Sequence, residues 1–280
     1  SSFLANFDKH SKWINEMESK LQKHKILNVH LDKLRDQLDD VENIHRNVDS
    51  YQREIAEFVT HGQQLAKQYS TNDSMFIRQK VESIQNKFND LTQMASDKLE
   101  QIRASLNLAQ KFYAAFDELN EWMKMAENKL NQIDSYPISQ QNEIIDSLES
   151  DVTSKRRLLD TINNLGNEFA RTSPGQGASI INGYVSKCNK RFDAIIEQLQ
   201  RKSEKLRLMR EQNESLNIDI DELFDWFRDA ERQLLEAEPI TSNYDQLLIL
   251  LREVKSLNDD INQQKLRVRE IVNKVKKLMR

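Results

Sequence analysis

The chain is poor in the residues that interrupt or staple a fold. Its 280 residues include one cysteine, 3 prolines and 5 glycines. A lone cysteine excludes an internal disulfide framework and fits a reducing compartment. Scarce proline and glycine leave long stretches without a helix breaker: 63–136 and 184–238 contain neither. No run approaches the 18 apolar residues of a membrane span, and no signal-peptide pattern opens the chain. Positive charge is not in excess; the formal net charge of −4 argues against a general affinity for nucleic acid. Glycines in phosphate-cradling spacing are missing too, which removes the commonest nucleotide-binding loops. The first residue is not Met, so the sequence reads as a piece of something longer.

What is present is charge and period. Charged residues make up 31% of the chain and mean hydropathy is −0.75, a balance suited to thin helical bundles rather than one large core. Between Phe112 and Ile133 the apolar residues are Phe112, Phe116, Leu119, Met123, Ala126, Leu130 and Ile133. Steps alternating between four and three residues mark the seam of a helix packed in coiled-coil fashion. Trp122 lies beside that seam. The pattern recurs 104 residues on, from Leu216 to Ala237 with Trp226, and 109 residues earlier, from Phe3 to His24 with Trp13. One helix copied three times at nearly constant spacing is a repeat architecture.

Each copy, helix A, is followed by a further amphipathic stretch, helix B. Leu34, Leu38, Val41, Ile44, Val48, Tyr51, Ile55 and Phe58 form the stripe of the first. Ile145, Leu148, Val152, Leu159, Ile162 and Phe169 form that of the second, and Leu247 through Val275 and Leu278 that of the third. Third helices, C, carry Ile77, Val81, Ile84, Phe88 and Leu91 in the first repeat, and Ile181, Val185, Cys188, Phe192 and Ile195 in the second. Nothing stops either helix C, so each is expected to run unbroken into the next helix A. Pro137-Ile138-Ser139 and Pro239-Ile240-Thr241 read as stop-and-cap devices between A and B, with Ser139 as the capping residue. Thr172 to Gly177 reads as the loop between B and C of the second repeat. The expected fold is all-α: tandem three-helix, left-handed coiled-coil bundles joined by continuous helices. Repeat 1 spans 1–107 and repeat 2 spans 108–212. A partial repeat 3, helices A and B only, spans 213–280.

Units of this length and plan resemble spectrin repeats. The residues that carry the likeness are Trp13, Trp122 and Trp226 in helix A and Phe88 and Phe192 in helix C, where many family members have Trp. The segments Asp221-Glu222-Leu223-Phe224-Asp225-Trp226-Phe227, Leu257-Asn258-Asp259-Asp260-Ile261 and Gln264-Lys265-Leu266-Arg267-Val268-Arg269 resemble the rod of spectraplakins, the dystonin and microtubule–actin cross-linking factor group. That resemblance implies a cytoplasmic, cytoskeleton-associated linker. Its other regions would hold actin and microtubules while this stretch forms the rod between them.

Candidate chemistry is thin. All five histidines, His10, His24, His30, His45 and His61, fall in repeat 1, but no two stand at i,i+4 and the cysteine is remote. No metal site, cofactor or catalytic residue is expected, and the chain reads as no enzyme. His10 and His24 occupy seam positions, so partial burial and a weak pH response of repeat 1 are expected. Cys188 reads as a core thiol and the tryptophans as core anchors. Two sequons, Asn72-Asp73-Ser74 and Asn213-Glu214-Ser215, read as chance. One charge feature rises above scaffold. Arg201, Lys202, Lys205, Arg207 and Arg210 end repeat 2, while Lys265, Arg267, Arg269, Lys274, Lys276, Lys277 and Arg280 end helix B of repeat 3. A tight reversal near Ile240 would place Lys265 beside Ser215 and Lys276 beside Glu204, forming an anion or partner patch at the junction. The leading expectation is therefore a spacer that sets distance between actin- and microtubule-binding ends. At ~1.5 Å per residue, a shared helix of ~30 residues advances such a rod ~45 Å. The alternative is a protein- or lipid-docking platform at the basic junction, with membrane contact peripheral at most. The uncovered third repeat is expected to self-associate.

Overall fold

The computed structural model describes residues 2–236 and 242–278. Six α-helices account for most of them: α1 (Ser2–Gln22), α2 (Leu31–Ala66), α3 (Thr71–Gln132), α4 (Ile138–Thr172), α5 (Gln176–Glu236) and α6 (Tyr244–Leu278), with a 3-10 turn at Ile133–Ser135. The architecture is all-α, tandem three-helix bundles joined by continuous helices. Helix α3 serves as helix C of repeat 1 and helix A of repeat 2, unbroken over 62 residues; α5 does the same over 61. No breaker interrupts either, and a 3.5-residue apolar period that persists across the junction keeps one face turned inward.

The helices divide between two compact units. The first contains Ser1–Asn131 and Leu148–Ile196. Its core is the expected set of stripes: Ile14, Leu34, Ile84, Leu91, Leu119, Phe169 and Phe192 are fully buried. Phe3 stacks on Phe58 with ring centroids 5.2 Å apart, and Trp122 lies 5.8 Å from Phe192. Gly62 and Gly166 mark where helices B and C approach closest. A β-carbon on Gly62 would sit 2.3 Å from Val81 Cγ2, and one on Gly166 would sit 2.5 Å from Val185 Cγ2.

The second unit contains Gln132–Ser147 and Glu197–Arg280. Ile133, Ile145, Leu199 and Leu206 are buried there, whereas the pair formed by the end of α5 and α6 buries only Ala230 and Ile271 among its apolar side chains. Two helices can shield one line of contact between them. The flank that a third helix covers in the other bundles is open, and Leu234, Leu247 and Val254 are exposed.

Three local expectations are corrected. Helix α4 begins at Ile138, directly after Pro137, so Ser139 lies inside the helix, exposed, and does not cap it. The Gln141 backbone N–H donates to the Pro137 carbonyl at 2.9 Å, and its side-chain amide donates to the Tyr136 carbonyl at 2.7 Å. The loop between α4 and α5 is shorter than Thr172–Gly177: α4 keeps Thr172, α5 starts at Gln176, and Gly175 makes the reversal at φ +86°. In repeat 1, α1 ends at Gln22, so His24, expected as the last seam position of helix A, falls in the following loop, where Leu27 and Val29 are buried. Pro239-Ile240-Thr241, with Ala237 and Arg280, lies outside the described residues, as does the Leu278 side chain.

Candidate functional site

Helical period decides which residues of helix A face inward, and the tryptophans sit at the edge of that face. Trp122 is buried, its indole N–H donating to Asp151 at 3.2 Å. Trp13 is half-buried and stacks on Tyr51, with centroids 3.7 Å apart. Trp226 is half-buried and touches Phe227, 5.2 Å away. It lines an open cleft of about 580 Å³ with Phe227, Ala230, Leu234, Ile261, Gln264 and Val268. The Gln264 side-chain oxygen is buried there without a hydrogen-bond partner. Trp13 and Trp122 each pack against a neighbouring helix, whereas the ring contact of Trp226 is with Phe227 on its own helix, α5.

His10 replaces a seam leucine and is buried. Its Nδ1 lies 2.9 Å from the Tyr51 hydroxyl, while the ring meets Phe58 at 5.0 Å. Burial, and next the Lys9 ammonium, pull its pKa below the ordinary histidine value, with Glu54 opposing weakly. The Tyr51 phenol is pushed up to about 12 by the same burial. His24 stands 3.7 Å from Asp40 at the edge of the bundle. Cys188 is buried and burial raises its thiol pKa, the environment of an inert core thiol. Among the described residues, no three His, Cys, Asp or Glu side chains converge as a metal set.

The basic residues meet their neighbours differently from the register expected. Arg267 pairs with Glu222 and lies 3.8 Å from Asp219, and Lys274 reaches Asp219 at 2.5 Å. Lys277 borders a groove with Glu211 and Gln212, while Lys265 lines the Trp226 cleft. Helix α6 thus meets α5 about two helical turns away from a tight reversal at Ile240. In that register Ile261 and Val268 line the same cleft as Trp226 and Ala230. Much of the positive charge is matched locally. Arg201 pairs with Glu197, Arg207 with Glu204 and Glu211, and both Lys202 and Lys205 with Asp134. Arg210, Lys265, Arg269, Lys276 and Lys277 form no ion pair among the described residues. The eleven described cations of the set do not form one continuous unpaired patch.

Sequence reasoning missed a polar tie between helices in repeat 2. Arg191, next to Phe192, grips Glu127 with two hydrogen bonds of 2.6 and 2.7 Å and reaches Asn120 at 2.5 Å. The arginine holds the Glu127 carboxyl below its usual range. Only the helical phase of an Arg beside a core aromatic hinted at it.

A family model described as the spectrin repeat matches residues 1–104 and 107–208. The chain belongs to the spectrin-repeat family. Its curated relatives are large. The mouse protein microtubule-actin cross-linking factor 1, isoforms 6/7, is 23% identical over 260 residues, covering 90% of this chain and 8% of the relative. The human isoforms 1/2/3/4/5 are 22% identical, covering 94% of the chain and 3% of the relative. Human nesprin-2 is 22% identical over 97% of the chain and 4% of its own length. The chain therefore spans less than a tenth of each. The first of these relatives is by its name a cross-linking factor for microtubules and actin. No described helix here is long and apolar enough to cross a membrane.

Proposed function

We propose that this chain is a non-catalytic spacer segment of a large cytoplasmic cytoskeletal linker, holding actin- and microtubule-binding regions of its parent at a set separation. The observation that carries this reading is the pair of unbroken helices, α3 and α5, each shared by consecutive repeats. A shared helix converts residues directly into length and resists shortening. The repeats we assign are 1–107, 108–212 and 213–280. Part of their exposed charge is matched by pairs within or between helices, which suits a solvated strut.

The second reading, a docking platform for acidic protein tails or lipid headgroups, draws on Lys277, which lines a groove with Leu208, Glu211 and Ser215, and on its sequence neighbour Lys276, neither in an ion pair among the described residues. Co-sedimentation of the chain with actin filaments, microtubules and anionic vesicles at near-physiological salt separates the two. The spacer binds none of them. Binding that is lost in a Lys276→Glu/Lys277→Glu variant with unchanged helical content supports docking instead. Lys274 is left intact in that variant, since its pair with Asp219 ties α6 to α5.

A further inference from the structure

We infer that Arg191 transfers load between the two long helices of repeat 2: its grip on Glu127 and Asn120 pins α5 to α3 against sliding under tension. The inference rests on the spacer reading and adds the residue through which such a strut bears pull. In repeat 2 the two long helices run side by side, α3 as its helix A and α5 as its helix C. They are parallel there, since Phe116 meets Tyr184 at 5.8 Å and, further along both, Trp122 meets Phe192 at 5.8 Å. A pull on the chain from its two sides draws α3 toward its N-terminus and α5 toward its C-terminus. The force therefore shears the contact between them.

Two kinds of contact lie along that line, and they respond to shear differently. Apolar burial has no direction, so aromatic and aliphatic neighbours lose contact gradually as the helices slide. The Arg191 fork is directional. Its Nε and Nη2 donate to the two carboxylate oxygens of Glu127 at 2.6 and 2.7 Å, and Nη1 donates to Asn120 at 2.5 Å. Asn120 and Glu127 lie two turns apart on one face of α3, so the guanidinium is held from two levels at once. A slide of ~2 Å carries these bonds out of range. Force is energy divided by distance, so a link that breaks over so short a path withstands the largest pull. Without load the same pair, each side chain 33% exposed, adds little to folding stability. In repeat 1, Lys87 and Glu18 stand at the corresponding positions, 104 and 109 residues earlier, and they form no ion pair among the described residues.

The test holds repeat 2 at constant force within the whole chain. Handles sit on Gln101→Cys in α3 and Gln212→Cys in α5, both exposed sites, with Cys188→Ala as the common background. Arg191→Met keeps the apolar stem and removes the fork. It is expected to shorten the lifetime under load about tenfold, while the thermal midpoint of the unloaded chain moves by no more than ~2 °C. Exchanging the pair, Arg191→Glu with Glu127→Arg, rebuilds the link from the other side and is expected to recover most of the lifetime. An unchanged lifetime in Arg191→Met overturns the pin, as does an exchange that recovers nothing or a midpoint that falls in step with the lifetime. Should Arg191→Met fail to fold, Arg191→Lys, which keeps the charge and loses the fork, is judged by the same criteria. A chain that co-sediments with filaments or vesicles yet shows the loss and recovery under load contradicts the spacer reading and supports the pin.

Discussion

His10 stands where Leu119 and Leu223 stand in the other two copies of helix A. It is tolerated because Tyr51 supplies a hydrogen bond and the rings of Tyr51 and Phe58 lie against it, an arrangement that favours neutral imidazole. Its folded pKa is lowered, so the unfolded chain binds the proton more readily. The contribution to stability is complete above the ordinary histidine value of about 6.5 and is lost as pH falls through the interval below it. Thermal melts of repeat 1 should shift downward between pH 7 and pH 5. His10→Leu with Tyr51→Phe should flatten that shift, the second change sparing a buried hydroxyl from losing its partner. An unchanged pH slope in the double variant would refute the assignment to His10. Glycine gives a second test at this scale. Helix propensity alone makes Gly166→Ala stabilising by up to ~1 kcal/mol. The 2.5 Å approach of Val185 and the Phe112 ring at 3.2 Å oppose it, and overpacking of a stiff β-branched neighbour typically costs ~1–3 kcal/mol. The expected sign is net destabilisation in chemical denaturation, at Gly166 and at Gly62 alike.

At the scale of elements, the two shared helices share continuity but not burial. Around the first junction Ile102, Ser105 and Ala109 are buried, and the Ser105 hydroxyl lies 3.2 Å from that of Thr172. Around the second, Asn213 takes the place of Ala109 and is exposed, as are Arg210 to Ser215 on either side of it. Asn and Ser are each weaker helix formers than Ala by several tenths of a kcal/mol, and exposed backbone bonds open more readily. Amide exchange at 212–217 should therefore outpace that at 105–110 by an order of magnitude or so. Equal rates at the two sites would mean that burial does not govern their stiffness.

For the whole molecule the unequal ending matters most. Phe227 and Leu234 correspond to Met123 and Leu130, which are sealed in repeat 2, yet they are 48% and 61% exposed. With Leu247 and Val254 they form an apolar flank beside the Trp226 cleft. Leaving ~400 Å² of such surface in water forfeits on the order of 10 kcal/mol at ~25 cal/mol per Å², an upper bound because a helical pair can partly collapse. Surfaces of that size tend to find cover. The chain is expected to self-associate there, with mass by light scattering rising across a concentration series and returning to monomer in Leu234→Glu/Val254→Glu. A monomeric mass at every concentration would show that the pair closes on itself.

Local pattern was enough to establish the helices, their seams, the repeat length and the unbroken junctions, because a 3.5-residue period and the absence of breakers act along a single stretch of chain. Trp122, Phe88, Phe192 and Cys188 were legible as core for that reason. What faces what across helices was not. The register of α6 is set between helices and not along one of them, so Arg267 found Glu222 and Asp219 rather than residues nearer Ser215. Ser139 lost its capping role because Pro137 already sets the backbone where α4 begins. The hydrogen bonds from Ser173 to the Leu27 carbonyl and from Tyr113 to the Val29 carbonyl join residues 146 and 84 apart in sequence. No period marks such pairs; they exist only once packing has set a loop of one repeat against a turn of the next.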